Sequence, residues 1–239
     1  MTATPGVFVV LEGGEGAGKS TLVAALADAV LATGRTALVT REPGATALGS
    51  RLRTLLLDPA VGAVDPRAEA LLYAADRTDH VARVVRPALA AGHVVLCDRY
   101  LESSIAYQGA ARGLGEQDVA RLSDWGTDGL RPDLTILLDV APELGRARAA
   151  DRSGGTLDRL EAEPGSFHAR VRRSYLDQAA ADPARHLVLD ASRPAAAVLR
   201  DALLHLDGLL AATGLLAPGG PLARPGPLAS PGGGHPVGD

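Results

Sequence analysis

The stretch GGEGAGKS occupies residues 13–20, between the apolar run VFVVLE at 7–12 and a segment of helical period that begins at Thr21. It matches the pattern G-x-x-x-x-G-K-[ST] of a phosphate-binding loop, with strand, loop and helix in the required order. Glycines let successive backbone N–H groups point at one anion, and the helix N-terminus adds partial positive charge. Lys19 then bridges phosphate oxygens, and the Ser20 hydroxyl can ligate Mg²⁺. The sequence therefore predicts a nucleoside triphosphate site formed by Gly13, Gly14, Glu15, Gly16, Ala17, Gly18, Lys19, Ser20 and Thr21.

Outside this loop, short apolar runs alternate with longer segments of helical period. Four more candidate strands are TALVT at 36–40, HVVLCD at 93–98, LTILLDV at 134–140 and HLVLDA at 186–191. Helices are predicted near 19–33, 46–57, 66–91, 117–125, 142–152, 161–181 and 194–212. Strands with little polar alternation, separated by helices, are typical of a parallel sheet covered on both faces. The sequence thus predicts a three-layer α/β fold with five strands.

Length and composition favour one domain followed by a tail. The 239 residues suffice for a single α/β domain, predicted to span residues 1–212. From 213 to 239 glycine and proline dominate and no apolar period remains, so this segment is predicted to be disordered. The formal net charge of −4 gives no global basic field, which argues against nucleic-acid and anionic-membrane partners.

The cysteine content and the first residues favour a cytoplasmic location. Cys97 is the only cysteine, so neither a disulfide framework nor a thiolate zinc site can form. The apolar run at 7–11 has no basic segment before it and ends at Glu12, which makes it too short for a signal peptide or a membrane span. A cytoplasmic protein is therefore expected.

Two absences narrow the class of nucleotide-binding protein. Lys19 is the only lysine, and the chain contains no asparagine. A guanine-reading Asn-Lys-x-Asp motif is therefore impossible, which argues against a GTPase switch. Motor ATPases usually need larger assemblies than about 200 ordered residues provide. A small-molecule kinase needs an acceptor pocket and a mobile cover that carries arginines, and the chain offers candidates for both.

Three polar clusters follow predicted strands: TREPG at 40–44, DRYLESSIAYQG at 98–109 and RARAADRSGGTLDRLE at 146–161. In open α/β sheets ligands collect at the carboxyl ends of the strands, so these clusters are expected to converge over the phosphate-binding loop. Each cluster alone is also compatible with surface ion pairs or a solvated helix face.

In this order and spacing, GGEGAGKS, TREPG, LLYAADR, DRYLESSIAYQG, RPDLTILLDV and LDRLE resemble the bacterial thymidylate kinase family. The resemblance covers residues 7 to about 210. It implies a sheet of strand order 2-3-1-4-5, a homodimer, and transfer of the γ-phosphate of ATP to dTMP with Mg²⁺. Four departures are noted: Tyr73 where the family often has Phe, Ala45 after TREPG, the extra SGG at 153–155 and the tail.

The resemblance also implies roles for individual residues. Tyr73 would stack on thymine, Arg77 would reach a base carbonyl, and Ser104 would meet the base edge. Gln108, in the same segment, is counted among the substrate-binding residues. Tyr107 would crowd the 2′ position of the sugar, while Glu15 would meet the 3′-hydroxyl. The dTMP phosphate would be surrounded by Arg41, Arg53 and Arg99, and Asp98 would help to order Mg²⁺ through water. Glu12 is interpreted as tying down the loop, without contact to substrate.

The catalytic arginines are expected in a lid segment at about 146–160. Lys19 is the only cation within the phosphate-binding loop, yet phosphoryl transfer needs fixed positive charge around the moving group. Arg148 and Arg152 are therefore predicted to act in catalysis with Lys19 and Arg99, and Gly154 and Gly155 to allow closure. Arg146 is expected to face outward or pair locally.

Two alternatives stay open at this point. Another deoxynucleotide or nucleoside kinase of the same fold would differ in its acceptor, which a panel of monophosphates would reveal. A non-catalytic nucleotide-binding subunit would bind ATP without transferring its phosphate.

Overall fold

A five-stranded, all-parallel sheet forms the centre of the protein. In the computed structural model, which describes residues 5–153, 157–215 and 222, the strands are β1 (Val7–Gly13), β2 (Ala37–Arg41), β3 (Val94–Asp98), β4 (Leu134–Asp139) and β5 (His186–Asp190). They are arranged in the order β2-β3-β1-β4-β5. The predicted fold class and strand order are confirmed.

Burial of the strands explains why the sequence pattern identified them. Every residue of the central strand β1 is buried, as expected for a strand covered on both faces. The edge strands are more open: Val39 of β2 and Val188 of β5 are 50% and 45% exposed. Alternate β1 residues point to opposite faces, with Val7, Val9 and Leu11 in one core cluster and Phe8 and Val10 in another.

Helices cover both faces of the sheet. Within the described residues they are α1 (Lys19–Ala32), α2 (Ala47–Leu57), α3 (Pro66–His80), α4 (Arg86–Ala90), α5 (Leu101–Ser104), α6 (Glu116–Thr127), α7 (Pro142–Ser153), α8 (Gly165–Ala181) and α9 (Ala195–Ala212). A π-helical turn at Val81–Val85 joins α3 to α4, so the helix predicted at 66–91 is continuous but not uniform. The short turn Pro59–Val61 precedes α3.

The main difference from the predicted elements lies at residues 101–111. This segment is not among the predicted helices, but it forms α5 and a π-helical segment, Ile105–Ala111. Its polar residues serve the site, while Ile105 and Ala106 pack into two different core clusters. A motif that resembles a binding loop therefore also builds part of the core.

Two leucines beyond the predicted domain boundary at 212 are buried. Leu215 and Leu222 are 1% and 3% exposed and belong to the same core cluster as α1 and α9. The backbone N–H of Leu222 donates to Asp207 Oδ1 at 2.7 Å. Residues 216–221 and 223–239 lie outside the described residues, so the disorder of the tail stays a prediction.

Candidate active site

A cavity of about 280 Å³ opens where the carboxyl ends of β1, β2 and β3 meet. The phosphate-binding loop forms one wall, and α2, α3 and the helical segment 101–111 form the others. The clusters TREPG and DRYLESSIAYQG therefore converge over the loop as expected. The lining residues are Glu15, Gly16, Ala17, Gly18, Lys19, Ser20, Thr21, Arg41, Glu42, Pro43, Arg53, Leu57, Tyr73, Asp98, Arg99, Ser103, Ser104, Tyr107, Gln108, Asp158, Leu160 and Glu161.

The phosphate-binding loop depends on glycine and on one ammonium group. Gly16 has φ 65°, and a Cβ at this position would collide with the carbonyl oxygen of Gly145 in α7. Lys19 is 7% exposed, and its Nζ donates to the carbonyls of Gly13 at 3.0 Å and Gly14 at 2.9 Å. Burial and the nearby Arg99 lower the pKa of Lys19. The ammonium group is thus held at the point where phosphate oxygens are expected.

Ser20 and Asp98 place a hydroxyl and a carboxylate next to each other beside the loop. The Ser20 hydroxyl donates to Asp98 Oδ2 at 3.0 Å, and Asp98 Oδ1 is buried with no hydrogen-bond partner in the described part of the chain. A hydroxyl and a carboxylate are ligands that Mg²⁺ prefers. Residues 5–153, 157–215 and 222 contain no cluster of three or more metal-binding side chains. The pair fits a Mg²⁺ ion that takes its other ligands from water and phosphate.

Arg99 occupies the position between the loop and the rest of the cavity. Its Nη1 donates to the Gly13 carbonyl at 3.0 Å and to Tyr175 Oη at 3.1 Å, and its Nη2 lies 2.6 Å from Glu15 Oε1. The backbone of Arg99 has φ 71°, an uncommon value for a residue other than glycine and a frequent mark of functional sites. Burial raises the pKa of Glu15, but Arg99 and Lys19 outweigh it, so the net shift is downward.

The buried carboxylate of Glu12 holds the start of the segment 101–111. It accepts hydrogen bonds from the backbone N–H groups of Tyr100 and Ser103 at 2.8 and 3.1 Å. It also accepts from the hydroxyls of Ser103 at 2.7 Å and Tyr175 at 2.9 Å. Desolvation raises the pKa of Glu12, although Arg99 and these hydrogen bonds oppose the shift. The expected structural role of Glu12 therefore has a specific form: it fixes the backbone from which Arg99 and Ser104 project.

Cationic and aromatic side chains line the part of the cavity away from the loop. Arg41 and Arg53 both face it, and Arg53 Nη1 donates to the Pro43 carbonyl at 3.0 Å. The aliphatic part of the Arg53 side chain lies so close to Gly44 that a Cβ atom at position 44 would collide with Arg53. Tyr107 Oη donates to Glu15 Oε1 at 3.4 Å, while the Arg99 guanidinium lies 5.4 Å from the centre of its ring. The cavity can therefore hold an anion at one end and a flat ring at the other.

Comparison of the sequence with known proteins assigns the chain to a family. The sequence profile of the thymidylate kinase family matches residues 11–202. The chain belongs to the thymidylate kinase family. It is therefore a nucleoside monophosphate kinase, with the phosphate-binding loop and the residues that line the 280 Å³ cavity inside the matched region.

Curated thymidylate kinases resemble the chain over most of its length. The thymidylate kinase of Leifsonia xyli subsp. xyli is 54% identical over 206 residues, which cover 86% of this chain and 97% of that protein. That of Deinococcus radiodurans is 53% identical over 189 residues, covering 79% and 90%. That of Cutibacterium acnes is 52% identical over 188 residues, again covering 79% and 90%.

Arg77 is placed differently from the expectation for a thymidylate kinase site. It is 2% exposed and is not among the described residues that line the cavity. Its guanidinium donates to Glu42 Oε2 at 2.8 Å and to Ser123 Oγ, the Tyr100 carbonyl and Ser104 Oγ, each at 3.0 Å. The contact of Arg77 with a base carbonyl stays a prediction. Arg77 contacts the cavity wall through Glu42 and Ser104.

Arg148, one of the two predicted catalytic arginines of the lid, lies outside the cavity that contains Lys19. Arg148 lines a second cavity of about 180 Å³, and its Nη1 donates to the Ala191 carbonyl at 2.8 Å. Among the described residues, it does not line the cavity that contains Lys19. Arg146 is exposed, as expected. Arg152 lies in α7 but its side chain is outside the description, and Gly154 and Gly155 lie outside the described residues.

Several residues at this thymidylate kinase site were not predicted. Ser103, Glu42, Asp158, Leu160 and Glu161 line the cavity, and Tyr175 reaches Arg99 from α8. The five lining residues all belong to motifs already quoted, so membership of those motifs was a usable signal. Tyr175 is more than 70 residues from Arg99 in sequence, and no local pattern marks it.

Proposed function

We propose that dTMP, the acceptor that this thymidylate kinase phosphorylates, binds in the 280 Å³ cavity with its phosphate toward Arg41, Arg53 and Arg99. The observation that carries this assignment is that one cavity combines the phosphate-binding loop with arginines and an aromatic ring, Tyr73. Guanidinium groups suit phosphate oxygens, and a planar ring supplies stacking for a base. Tyr107 and Glu15 would then lie beside the sugar.

ATP would bind across the loop, with its phosphates at Lys19 and its nucleoside in the second cavity. That cavity of about 180 Å³ meets the loop at Ala17, Gly18 and Thr21. Its other described lining residues are mainly apolar, apart from Arg148 and Arg193, which suits a heterocyclic base. Ala17, Gly18 and Thr21 line both cavities. ATP in one cavity and dTMP in the other would therefore meet at the start of α1, as transfer of a phosphate between them requires.

The site would catalyse transfer mainly by position and fixed charge. The acceptor is a phosphate monoester whose second pKa is about 6, so at neutral pH its oxygen is already anionic and needs no general base. Arg99 and Lys19 would stabilise the charge of the moving group on either side, and residues 158–161 would exclude water from the acceptor. When Mg²⁺ is bound, it supplies additional charge neutralisation, and Ser20 and Asp98 are the residues that would hold it. Arg152 would add lid charge, as the sequence predicts.

The function is tested with a panel of acceptors. ADP release would be followed with ATP, Mg²⁺ and each of dTMP, dUMP, dCMP, dGMP and dAMP. We expect dTMP to have the highest kcat/KM. Preference for another monophosphate would support a different kinase of the same fold, and ATP binding without any transfer would indicate a non-catalytic subunit.

Replacing Arg148 by alanine is expected to raise the KM for ATP about tenfold and to change kcat little, because the side chain lines the nucleoside cavity. Steady-state kinetics with ATP varied at saturating dTMP would measure both values. Arg173→Ala is the control, since Arg173 pairs with Asp177 on the exposed surface of α8. A large fall in kcat with an unchanged KM would instead support the catalytic role first predicted for Arg148.

We also propose a homodimer that forms through α2, α3 and α6. These helices are neighbours, with α3 between the other two. Large apolar side chains on all three are exposed: Leu48 and Leu55 on α2, Leu71 on α3 and Trp125 on α6, which is 82% exposed. Exposed apolar patches of this kind are typical of protein interfaces, and identical subunits most often pair about a twofold axis.

The Trp125→Glu variant is expected to weaken this dimer at least tenfold, because a buried aromatic anchor would be replaced by an unpaired charge. Sedimentation or light scattering over a concentration series would give the dissociation constant. Leu204→Glu on α9 is a matched control, since Leu204 is 60% exposed but lies outside the three helices. Equal dimer stability in both variants would count against this surface.

Location and other partners stay predictions. Across the described residues, none of the helices is both long and apolar enough to cross a bilayer. The absence of a global basic field, with a net charge of −4, supports small-molecule substrates and argues against a nucleic-acid partner. We propose small-molecule substrates, no nucleic-acid partner and a cytoplasmic location.

A further inference from the structure

The hydroxyl of Tyr175, a residue of α8, contacts both Arg99 and Glu12 beside the phosphate-binding loop. Its Oη lies 3.1 Å from Arg99 Nη1 and 2.9 Å from Glu12 Oε2. Ser103 Oγ makes the same two contacts, at 3.2 and 2.7 Å, and lies 2.8 Å from Tyr175 Oη. Two neighbouring hydroxyls therefore lie between a guanidinium group and a buried carboxylate.

The two charged groups determine the direction of these hydrogen bonds. A guanidinium group only donates and an ionised carboxylate only accepts, so each hydroxyl accepts from Arg99 and donates to Glu12. In the described part of the chain Arg99 forms an ion pair only with Glu15. Glu12 therefore acts on Arg99 through the two hydroxyls, and its carboxylate balances the positive charge without occupying the planar fork of the guanidinium.

The two oxygens of Glu12 hold both ends of Arg99. Oε1 accepts from the backbone N–H groups of Tyr100 and Ser103, which fixes the chain directly after Arg99. Oε2 accepts from the hydroxyls of Ser103 and Tyr175, which fix the guanidinium. Since the backbone of Arg99 has the unfavourable φ of 71°, these contacts maintain a conformation that the residue alone would not favour.

Nitrogen Nη1 of Arg99 is committed to protein oxygens. Its two hydrogens face three acceptors, the Gly13 carbonyl and the hydroxyls of Ser103 and Tyr175. The guanidinium carries its five N–H groups in one rigid plane, so a fixed Nη1 also fixes the direction of the others. One N–H of Nη2 meets Glu15. The other N–H groups of Nη2 and Nε are then those that can meet a phosphate in the cavity that Arg99 lines.

We propose that Tyr175 and Ser103 are positioning residues for phosphoryl transfer, whose hydroxyls hold Nη1 of Arg99 and thereby direct its Nη2 and Nε side toward the transferring phosphate. Neither hydroxyl needs to touch a nucleotide for this role. The inference rests on the catalytic role proposed for Arg99.

Phenylalanine at position 175 separates the hydroxyl from the ring. The ring of Tyr175 belongs to a core cluster with Tyr107 and Phe167 and lies edge-on to Tyr107, with 6.5 Å between the ring centres. Tyr175→Phe keeps this packing, but it removes one acceptor from Arg99 and one donor from Glu12. A change in turnover would then report on the hydroxyl alone.

Tyr175→Phe is expected to lower the single-turnover rate constant with saturating ATP and dTMP at least about tenfold. The guanidinium would be held less firmly at Nη1 and would turn toward Glu15, its ion-pair partner at 2.6 Å, and a small misplacement of a catalytic group can cost about 10²-fold. The steady-state KM for ATP should change less than about threefold, because the lost contact does not involve the ATP site.

A double-mutant cycle with Arg99→Lys identifies the group through which Tyr175 acts. Lysine has no planar fork to direct, so in the Arg99→Lys background the further change Tyr175→Phe should lower the rate constant less than about threefold. Tyr100→Phe is the matched control, since it removes the hydroxyl of another buried tyrosine, which donates to the Leu130 carbonyl at 3.2 Å and does not contact the Arg99 guanidinium. The control should keep the rate constant within about twofold of the wild type.

Equal losses from Tyr175→Phe in the two backgrounds would show that Tyr175 acts independently of Arg99 and would overturn the inference. A rate constant for Tyr175→Phe within about twofold of the wild type would do the same. If Tyr175→Phe is not folded, as judged by its melting temperature, Ser103→Ala removes the second hydroxyl and is measured in the same cycle with the same criteria. If Arg99→Lys alone matches the wild type, the proposed role of Arg99 fails and the inference fails with it, whereas a slow Arg99→Lys beside an unimpaired Tyr175→Phe refutes the positioning role only.

Discussion

Replacement of Lys19 by alanine is expected to lower kcat by at least about 10³-fold, because charge aimed at the transferring phosphoryl group is the main source of catalysis in this chemistry. Lys19 is the only lysine in the chain, so no other lysine can take its place. Arg99, whose charge acts on Lys19, is already held by Gly13, Glu15 and Tyr175. Single-turnover kinetics with saturating ATP and dTMP would measure the loss.

The melting temperature of Lys19→Ala separates catalysis from folding. The ammonium group is buried and donates to two loop carbonyls, so its removal leaves those carbonyls without this donor and costs some stability. The fold should nevertheless persist, because the loop backbone is fixed by glycines and by the contact of Gly16 with Gly145. Turnover within tenfold of the wild type would contradict the role of Lys19 at the phosphates.

The sequence alone predicted those parts of the fold and of the site that one contiguous pattern of residues encodes. The phosphate-binding loop is contiguous, and the five strands are short apolar runs, so motif and period predicted both. The segment 101–111 was missed as a helix because its motif is polar, whereas Ile105 and Ala106 also pack in the core.

The remaining differences between the predicted and the observed site come from the direction of individual side chains, which sequence does not specify. Arg77 and Arg148 belong to motifs whose residue types suit a nucleotide, yet Arg77 pairs with Glu42, which itself lines the cavity, and Arg148 donates to the Ala191 carbonyl. The hydroxyl of Tyr175 had no sequence signal, because its partners Glu12, Arg99 and Ser103 are 72 or more residues away.

Replacing Arg99 by lysine is expected to lower kcat at least about 100-fold with a smaller rise in the KM for dTMP, because the arginine joins the loop to the acceptor side through a planar fork. Its two terminal nitrogens contact Gly13, Tyr175 and Glu15 from one guanidinium, at 3.0, 3.1 and 2.6 Å. A lysine keeps the charge but has one nitrogen, so it cannot hold these contacts in the same geometry. Initial rates with dTMP varied at saturating ATP would give both constants.

The lysine variant is informative because the backbone at position 99 has φ 71°. A non-glycine residue in this region costs about 1–3 kcal/mol, and the surrounding structure must supply that energy. Arg99→Gly would relieve this strain and remove the guanidinium, so it should be folded but nearly inactive, while Arg99→Lys retains both the strain and the charge. If Arg99→Lys matched the wild type in kcat, charge alone would suffice at this position, and the contacts with Glu15 and Tyr175 would serve folding only. A loss of kcat in Arg99→Lys without loss of thermal stability would instead assign the guanidinium geometry to the transition state.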